Sequence, residues 1–130
     1  MKKKIILILF SLIFTSSFSQ DWKMVHEDNQ GTTYAKQKRK NKIGNIEINF
    51  KTNSKQIKYY DENGNVAIVY NGYSKDLREY NCQERKSRFL YMIIYDSSGN
   101  VLKNVDHSSK WNYIVPDTYG ETLSDYACGK

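Results

Sequence analysis

Apolar and polar positions alternate along most of the chain after residue 20. Trp22, Met24 and His26 fall on one side of an extended segment and Lys23 and Val25 on the other, a period of two that predicts a strand. Asn29-Gln30-Gly31 supplies a turn, and Thr32 to Lys38, rich in β-branched and aromatic residues, predicts the second arm of a hairpin. Ile46, Ile48 and Phe50 alternate with Glu47, Asn49 and Lys51, the pattern of a half-buried strand, whereas Thr52 to Gln56 is polar and reads as a loop. Val66 to Tyr70 is a short apolar strand ended by Asn71-Gly72, and Asp76 to Cys82 places Tyr80 and Cys82 on one strand face.

Arg88 to Tyr95 differs from the others. Phe89, Tyr91, Ile93 and Tyr95 line one face, and Leu90, Met92 and Ile94 line the other. Both faces are apolar, so this segment is expected to be a central strand covered on both sides. Two hairpin loops bracket the middle of the chain with the same pattern, Y-D-x-x-G-N-V, at Tyr60–Val66 and Tyr95–Val101. Aspartate starts such turns by accepting from its own backbone, and glycine takes the positive φ. Val101 to Val105 completes the second hairpin, and Trp111, Tyr113 and Val115 alternate in a last extended segment before Pro116. The period then changes. Thr118 and Glu121 fit a capping box, Tyr119, Leu123, Tyr126 and Ala127 share one helical face, and Gly129 fits a C′ position.

The first 20 residues follow another logic. Lys2, Lys3 and Lys4 precede an apolar run from Ile5 to Phe14, and Ser17 and Ser19 are small residues where a peptidase would cut. This predicts a secretory signal peptide over residues 1–20, cleaved after Ser19 or Gln20, with a single domain over residues 21–130. No cysteine stands at the cleavage point for a lipid anchor, and the apolar run is too short for a membrane span. Removing the leader takes three lysines and leaves 17 basic against 14 acidic residues, a net charge of +3 where the whole chain carries +6. The basic balance therefore does not imply nucleic acid. In an exported chain, two cysteines suggest one disulfide between Cys82 and Cys128, with free thiols or an intermolecular bridge as the alternatives.

The densest positive run, Lys36, Lys38, Arg39, Lys40 and Lys42, is the candidate contact for a polyanion or a partner protein, although a solvated hairpin end would carry the same charges. The tyrosine-rich faces offer a second class of function, binding of haem or another aromatic ligand, with Tyr91, Tyr95 and Tyr126 as a candidate lining. Catalysis ranks last. Asp106-His107-Ser108-Ser109 offers acid, base and hydroxyl, but as neighbours in one loop. The loop at Asp61–Asn65 lacks the spacing of a calcium site. His26 and His107 are too few for zinc, and no phosphate loop or cofactor fingerprint occurs.

Cys82, the basic Arg85-Lys86-Ser87-Arg88, the aromatic strand Tyr91-Met92-Ile93-Ile94-Tyr95-Asp96, the Gly99 turn, Trp111, Ile114-Val115-Pro116 and a short helix closing on Cys128 occur in that order. With Trp22 near the start, this set resembles the surface-adhesin protein E family of bacterial exported proteins. The resemblance covers about half of residues 21–130 well, and Thr52 to Ser74 matches poorly. It implies an α+β fold, a mostly antiparallel sheet of about six strands with a short C-terminal helix tied to it by the disulfide. It also implies a secreted, periplasmic or cell-surface protein without enzyme activity or cofactor. Such a protein would bind a partner such as an extracellular-matrix component and be capable of forming a homodimer.

Overall fold

A computed structural model describes residues 21–130. The expected leader over residues 1–20 lies outside them. The element order is β1 (Lys23–Glu27), β2 (Gly31–Lys40), β3 (Ile46–Ser54), β4 (Gln56–Tyr60), β5 (Val66–Tyr70), β6 (Tyr73–Asn81), β7 (Lys86–Tyr95), β8 (Val101–Val105) and β9 (Asn112–Tyr113). Among the described residues one helix, α1, spans Tyr119–Cys128. The main sheet has the order β1-β2-β3-β6-β7-β8, and β9 also pairs with β7. Every pairing is antiparallel. The fold is therefore the α+β class that the alternation and the resemblance both implied.

Turn chemistry sets the hairpins. Asp61 Oδ1 accepts from the amides of Asn63 and Asn65, both at 2.9 Å. Asp96 Oδ1 accepts from those of Ser98 and Asn100 at the same distance. A third copy, at the turn that Gly44 and the two asparagines of Asn41–Asn45 predict, joins β2 to β3. There Asn41 Oδ1 accepts from the amides of Ile43 at 3.2 Å and Asn45 at 2.9 Å. Gly44, Gly64 and Gly99 take positive φ at the equivalent position in the three turns. One short pattern, an Asp or Asn with Gly three residues later and Asn after it, thus closes three of the hairpins.

The segment Thr52–Gln56 is not the loop its polarity suggested. Thr52, Asn53 and Ser54 continue β3, paired with Thr33, Thr32 and Gly31 on one side. Thr52 and Asn53 also pair with Ser74 and Tyr73 on the other. A polar strand is stable here because both neighbours satisfy its backbone. Beyond Lys55 the β3–β6 ribbon continues as a separate two-stranded arm, β4–β5, which projects Tyr60, Val66, Ile68 and Tyr70 into solvent.

Helix α1 lies on one face of the sheet. Leu123 and Ala127 are fully buried against Ala35, Ile48, Phe50 and Tyr80, which form the core. Thr118 is the N-cap, its hydroxyl accepting from the Glu121 amide at 3.3 Å. The Glu121 carboxylate reaches the Asp117 amide at 3.4 Å, one residue short of the expected capping-box partner, and pairs with Arg85 at 3.0 Å. Gly129 ends the helix with φ 75°. Cys82 and Cys128 form the disulfide, with Cα atoms 5.8 Å apart, which ties the end of α1 to the residue after β6.

Four β-bulges break the period of two, one of them in β8, where Leu102 is the extra residue between the partners of Tyr95 and Ile94. In β7 Leu90 is the extra residue, since Tyr91 pairs with Leu77 and Phe89 with Arg78. Phe89 is thereby moved to the helix-facing side, where its ring lies 4.5 Å from the Arg78 guanidinium. The expectation that Phe89, Tyr91, Ile93 and Tyr95 share a face is corrected on that point. In β1 the extra residue is Val25, so Met24 pairs with Tyr34 but His26 pairs with Thr33, and these two lie on opposite faces rather than on one. In β2 Gln37 and Lys38 together oppose Ile48, with Gln37 at φ 58°.

The disulfide closes a loop of 46 residues, which on the chain-entropy model stabilises the fold by about 4 kcal/mol. Replacing both cysteines by alanine should lower the unfolding free energy by about 3–4 kcal/mol in a urea titration. A loss below about 1 kcal/mol would show that the helix is held by its packing alone.

Candidate functional site

The face of the sheet away from α1 is the most distinctive surface of the molecule. Residues paired directly across neighbouring strands point to the same side, so the register defines this face row by row. One row reads Lys36, Asn49, Leu77 and Tyr91 across β2, β3, β6 and β7. The next reads Tyr34, Lys51, Lys75 and Ile93, and the third Thr32, Asn53, Tyr73 and Tyr95. Across these four strands the three rows contain three lysines and no carboxylate, and on the edge strand β1 Glu27 continues the third row beside Thr32.

No second layer covers these rows among the described residues. The side chains cover one another instead. Lys36 Nζ lies 4.4 Å from the Trp22 ring centroid, Lys51 Nζ 5.0 Å from Tyr73 and Lys75 Nζ 5.6 Å from Tyr95. Tyr73 and Tyr95 stack on each other at 4.6 Å with an interplanar angle of 13°. At the start of β7, Lys86 and Arg88 lie over Trp111 at 5.4 and 4.6 Å. Lysine stems bury against the rings while the ammonium groups stay wet. β7 is not covered on both sides as expected: among the described residues α1 packs on β1, β3 and β6, and this layer of cation and ring is what lies over the open face.

A fourth row closes the face. Arg39, Glu47, Glu79 and Arg88 stand side by side on β2, β3, β6 and β7. Two carboxylates directly opposite each other repel, and each is held by the arginine on its outer side. Arg39 pairs with Glu47 at 2.7 Å and Arg88 with Glu79 at 2.8 Å. Asn41 bridges the two, donating to Glu79 at 2.7 Å and to Glu47 at 3.1 Å, and Asn45 donates to Glu79 at 3.0 Å. Burial works against the Glu79 charge, but the hydrogen bonds from Asn45, Arg88 and Asn41 together hold its pKa below the ordinary value of 4.5.

The candidate basic run does not assemble. Lys36 alone stands in the lysine rows of the open face. Lys38, beside the bulge, reaches toward α1, its Nζ 3.4 Å from the Tyr126 carbonyl. Arg39 is committed to Glu47, Lys40 ends β2 opposite Ile46, and Lys42 is exposed in the turn. Nor do the candidate tyrosines converge. Tyr91 and Tyr95 belong to the open face, whereas Tyr126 is on α1 beside Lys38, on the other side of the sheet.

A small pocket of about 190 Å³ lies between β1, β3 and the start of α1, and it was not legible in the sequence. His26 Nε2 is 3.1 Å from Asp28 Oδ2, and its ring meets Tyr119 edge-on at 5.0 Å. The Thr33 hydroxyl hydrogen-bonds Thr52 and Tyr119. The hydrogen bond to His26, with those from the Gln30 and Gly31 amides, holds the Asp28 pKa below the usual range. Among the described residues His26 hydrogen-bonds Asp28 and no hydroxyl. In the loop that held acid, base and hydroxyl together, His107 lies 3.9 Å from Asp106, and the Ser109 hydroxyl instead accepts from the Phe89 amide at 2.9 Å.

One further perturbed group is enclosed in the core. Asp76 is paired by register with Phe50 and Met92, and it bonds Arg78 Nε at 2.9 Å. Desolvation raises its pKa and the neighbouring guanidinium opposes that shift. The Tyr80 hydroxyl is buried beside the Arg78 guanidinium, and burial raises its pKa as well. Breaking such a buried ion pair costs about 3–5 kcal/mol, because the remaining charge is left uncompensated. Its role follows from its burial, under the core and away from both surfaces. Among the described residues no group of three or more His, Cys, Asp and Glu could hold a metal ion, and no helix is long and apolar enough to cross a membrane.

The family described as surface-adhesin protein E matches residues 22–129, nearly the whole chain, and the chain belongs to that family. No curated protein and no solved structure matches it.

The Glu79 network has a measurable consequence. Its folded-state pKa is depressed, so the stability it contributes is present above its unfolded value, near 4.5, and is lost as pH falls through the folded value. Glu79→Gln should cost about 1–3 kcal/mol at pH 7, and the difference from the parent protein should shrink below pH 4.5 in urea titrations. A difference that stays constant down to pH 3 would remove the charged network from the account.

Proposed function

We propose that this member of the surface-adhesin protein E family is an exported, non-enzymatic binding protein that attaches to a polyanionic or protein component outside the cell. Extracellular matrix is the kind of surface that fits. On this reading residues 1–20 are a leader cleaved after Ser19 or Gln20, and residues 21–130 work as one domain.

The observation that carries this reading is the open sheet face. Lys36, Lys51 and Lys75 form no ion pair among the described residues, so their charge is available to a partner. Their stems are half-buried on aromatic rings. Binding an anion there costs less side-chain ordering than binding at free surface lysines, because part of that entropy is already lost on folding. The family name supplies the surface and the adhesion. The face supplies a chemistry by which adhesion would occur, and electrostatic complementarity of this kind speeds encounter and selects partners.

The reading is tested with the exported chain and an immobilised matrix preparation. The protein should be retained at low ionic strength and released as salt is raised, since the screening length falls from about 10 Å at ~0.1 M to about 3 Å at ~1 M. Absence of retention at any salt, or retention that salt leaves untouched, would overturn it.

A further inference from the structure

The open face selects among anionic partners by what its rings and neutral groups can do. Tyr73 lies between the Lys51 ammonium at 5.0 Å and the Tyr95 ring at 4.6 Å, and Tyr95 lies between Tyr73 and Lys75 at 5.6 Å. Each ring thus lies within about 6 Å of a lysine ammonium and turns one face to the other ring. Single-stranded nucleic acid needs free aromatic faces on which bases stack, and this pair spends one face of each ring on the other.

The cations are lysines, each a compact point charge without the fork that arginine presents to a bidentate anion. Lys51 and Lys75 are directly opposed on β3 and β6, about 5 Å apart at the backbone. Lys36 stands one strand further and one row along, a diagonal of roughly 7–8 Å from Lys51. Single anionic substituents spaced along an extended chain match this arrangement. Between the lysines the face carries neutral hydrogen-bonding groups. The Tyr91 hydroxyl donates to Asn49 Oδ1 at 3.2 Å, and the Asn49 side-chain amide donates to Gln37 Oε1 at 3.1 Å, a polar chain beside Lys36. Asn53 is exposed in the next row but one. Amides and phenols of this kind both donate and accept, as recognition of sugar hydroxyls requires. The face is broad and open, unlike the enclosed cavities that hold small ligands.

We infer that the open face of the sheet binds an acidic polysaccharide, with its sulfate or carboxylate groups on Lys36, Lys51 and Lys75. The inference rests on the polyanion reading above and narrows it to one ligand class and one face.

Two charge-matched variants test it, Lys36→Gln/Lys51→Gln/Lys75→Gln on the face and Lys38→Gln/Lys40→Gln/Lys42→Gln in the basic run. Affinity is measured for heparin, for polygalacturonate, for a polyglutamate peptide and for oligo-dT, with neutral dextran as the blank. Circular dichroism and an intact disulfide establish folding. The face variant should bind the two acidic polysaccharides roughly a hundredfold more weakly than the parent, at about tenfold or less per charge. The run variant should stay within about threefold. Equal losses in the two variants would overturn the assignment to this face. Tighter binding of polyglutamate or oligo-dT than of either polysaccharide would overturn the ligand class while leaving the adhesin reading standing. Attachment to matrix without binding to any of the four probes would do the same, and failure to bind matrix or probes would remove both. The single Lys→Gln changes on the face should show the same order in smaller steps, so misfolding of the triple variant would not shelter the inference.

Discussion

One helix has to serve a sheet with two faces. A ten-residue helix is ~15 Å long and about 10 Å wide, whereas six strands span about 24 Å. Such a helix covers part of one face and nothing of the other. The core is accordingly small and one-sided, built from Ala35, Ile48, Phe50, Tyr80, Leu123 and Ala127. Everything else about the molecule follows from how the uncovered surface is managed. On the open face the answer is a layer of lysine stems on tyrosine and tryptophan rings, which removes apolar area from water without adding a second layer of backbone.

The same constraint explains why the helix is so heavily anchored. A free helix of three turns is marginal in water, and this one buries only two residues completely. Its first turn is held by the Thr118 cap and by the Glu121–Arg85 pair, and its last residue is bonded covalently to the end of β6. The Asp76–Arg78 pair sits in the strand segment beneath this arrangement, between Phe50 and Met92. A charged pair is tolerated there because Arg78 also lies over Phe50 and Phe89 at 5.4 and 4.5 Å, so its guanidinium is stacked as well as paired.

Strand existence, the hairpin turns, the capped helix, the disulfide and the family were all legible in the residues, because each has a local chemical signature. Thr118, Glu121 and Gly129 announce a helix wherever they stand, and Asp96 with Gly99 announces a turn. The faces were less legible. Val25, Leu90 and the Gln37–Lys38 pair carry no mark of being bulges, yet each exchanges the sides on which following residues lie. His26 and Phe89 were placed on the wrong side for this reason alone. The polar stretch Thr52–Ser54 was read as loop because polarity reports exposure, and an exposed central strand is as polar as a loop.

The candidate site was hidden by a related effect. Charge density along a sequence and charge density on a sheet are different quantities. In an extended chain neighbouring residues point to opposite faces, so Lys36, Lys38, Arg39, Lys40 and Lys42 disperse between the open face, the helix side, an ion pair and the turn. Lys36, Lys51 and Lys75 belong to three strands and form no run, yet the register brings them into adjoining rows with no carboxylate among them. Glu47 and Glu79 stand instead in the fourth row, where Arg39 and Arg88 hold them. Pairing the arginines with the carboxylates and leaving the lysines on aromatic rings keeps the strongest ion-pair formers at the margin. It leaves the most readily exchanged charges facing outward in the middle of the face. On the proposed reading that segregation suits a surface that must hold and release an anionic chain.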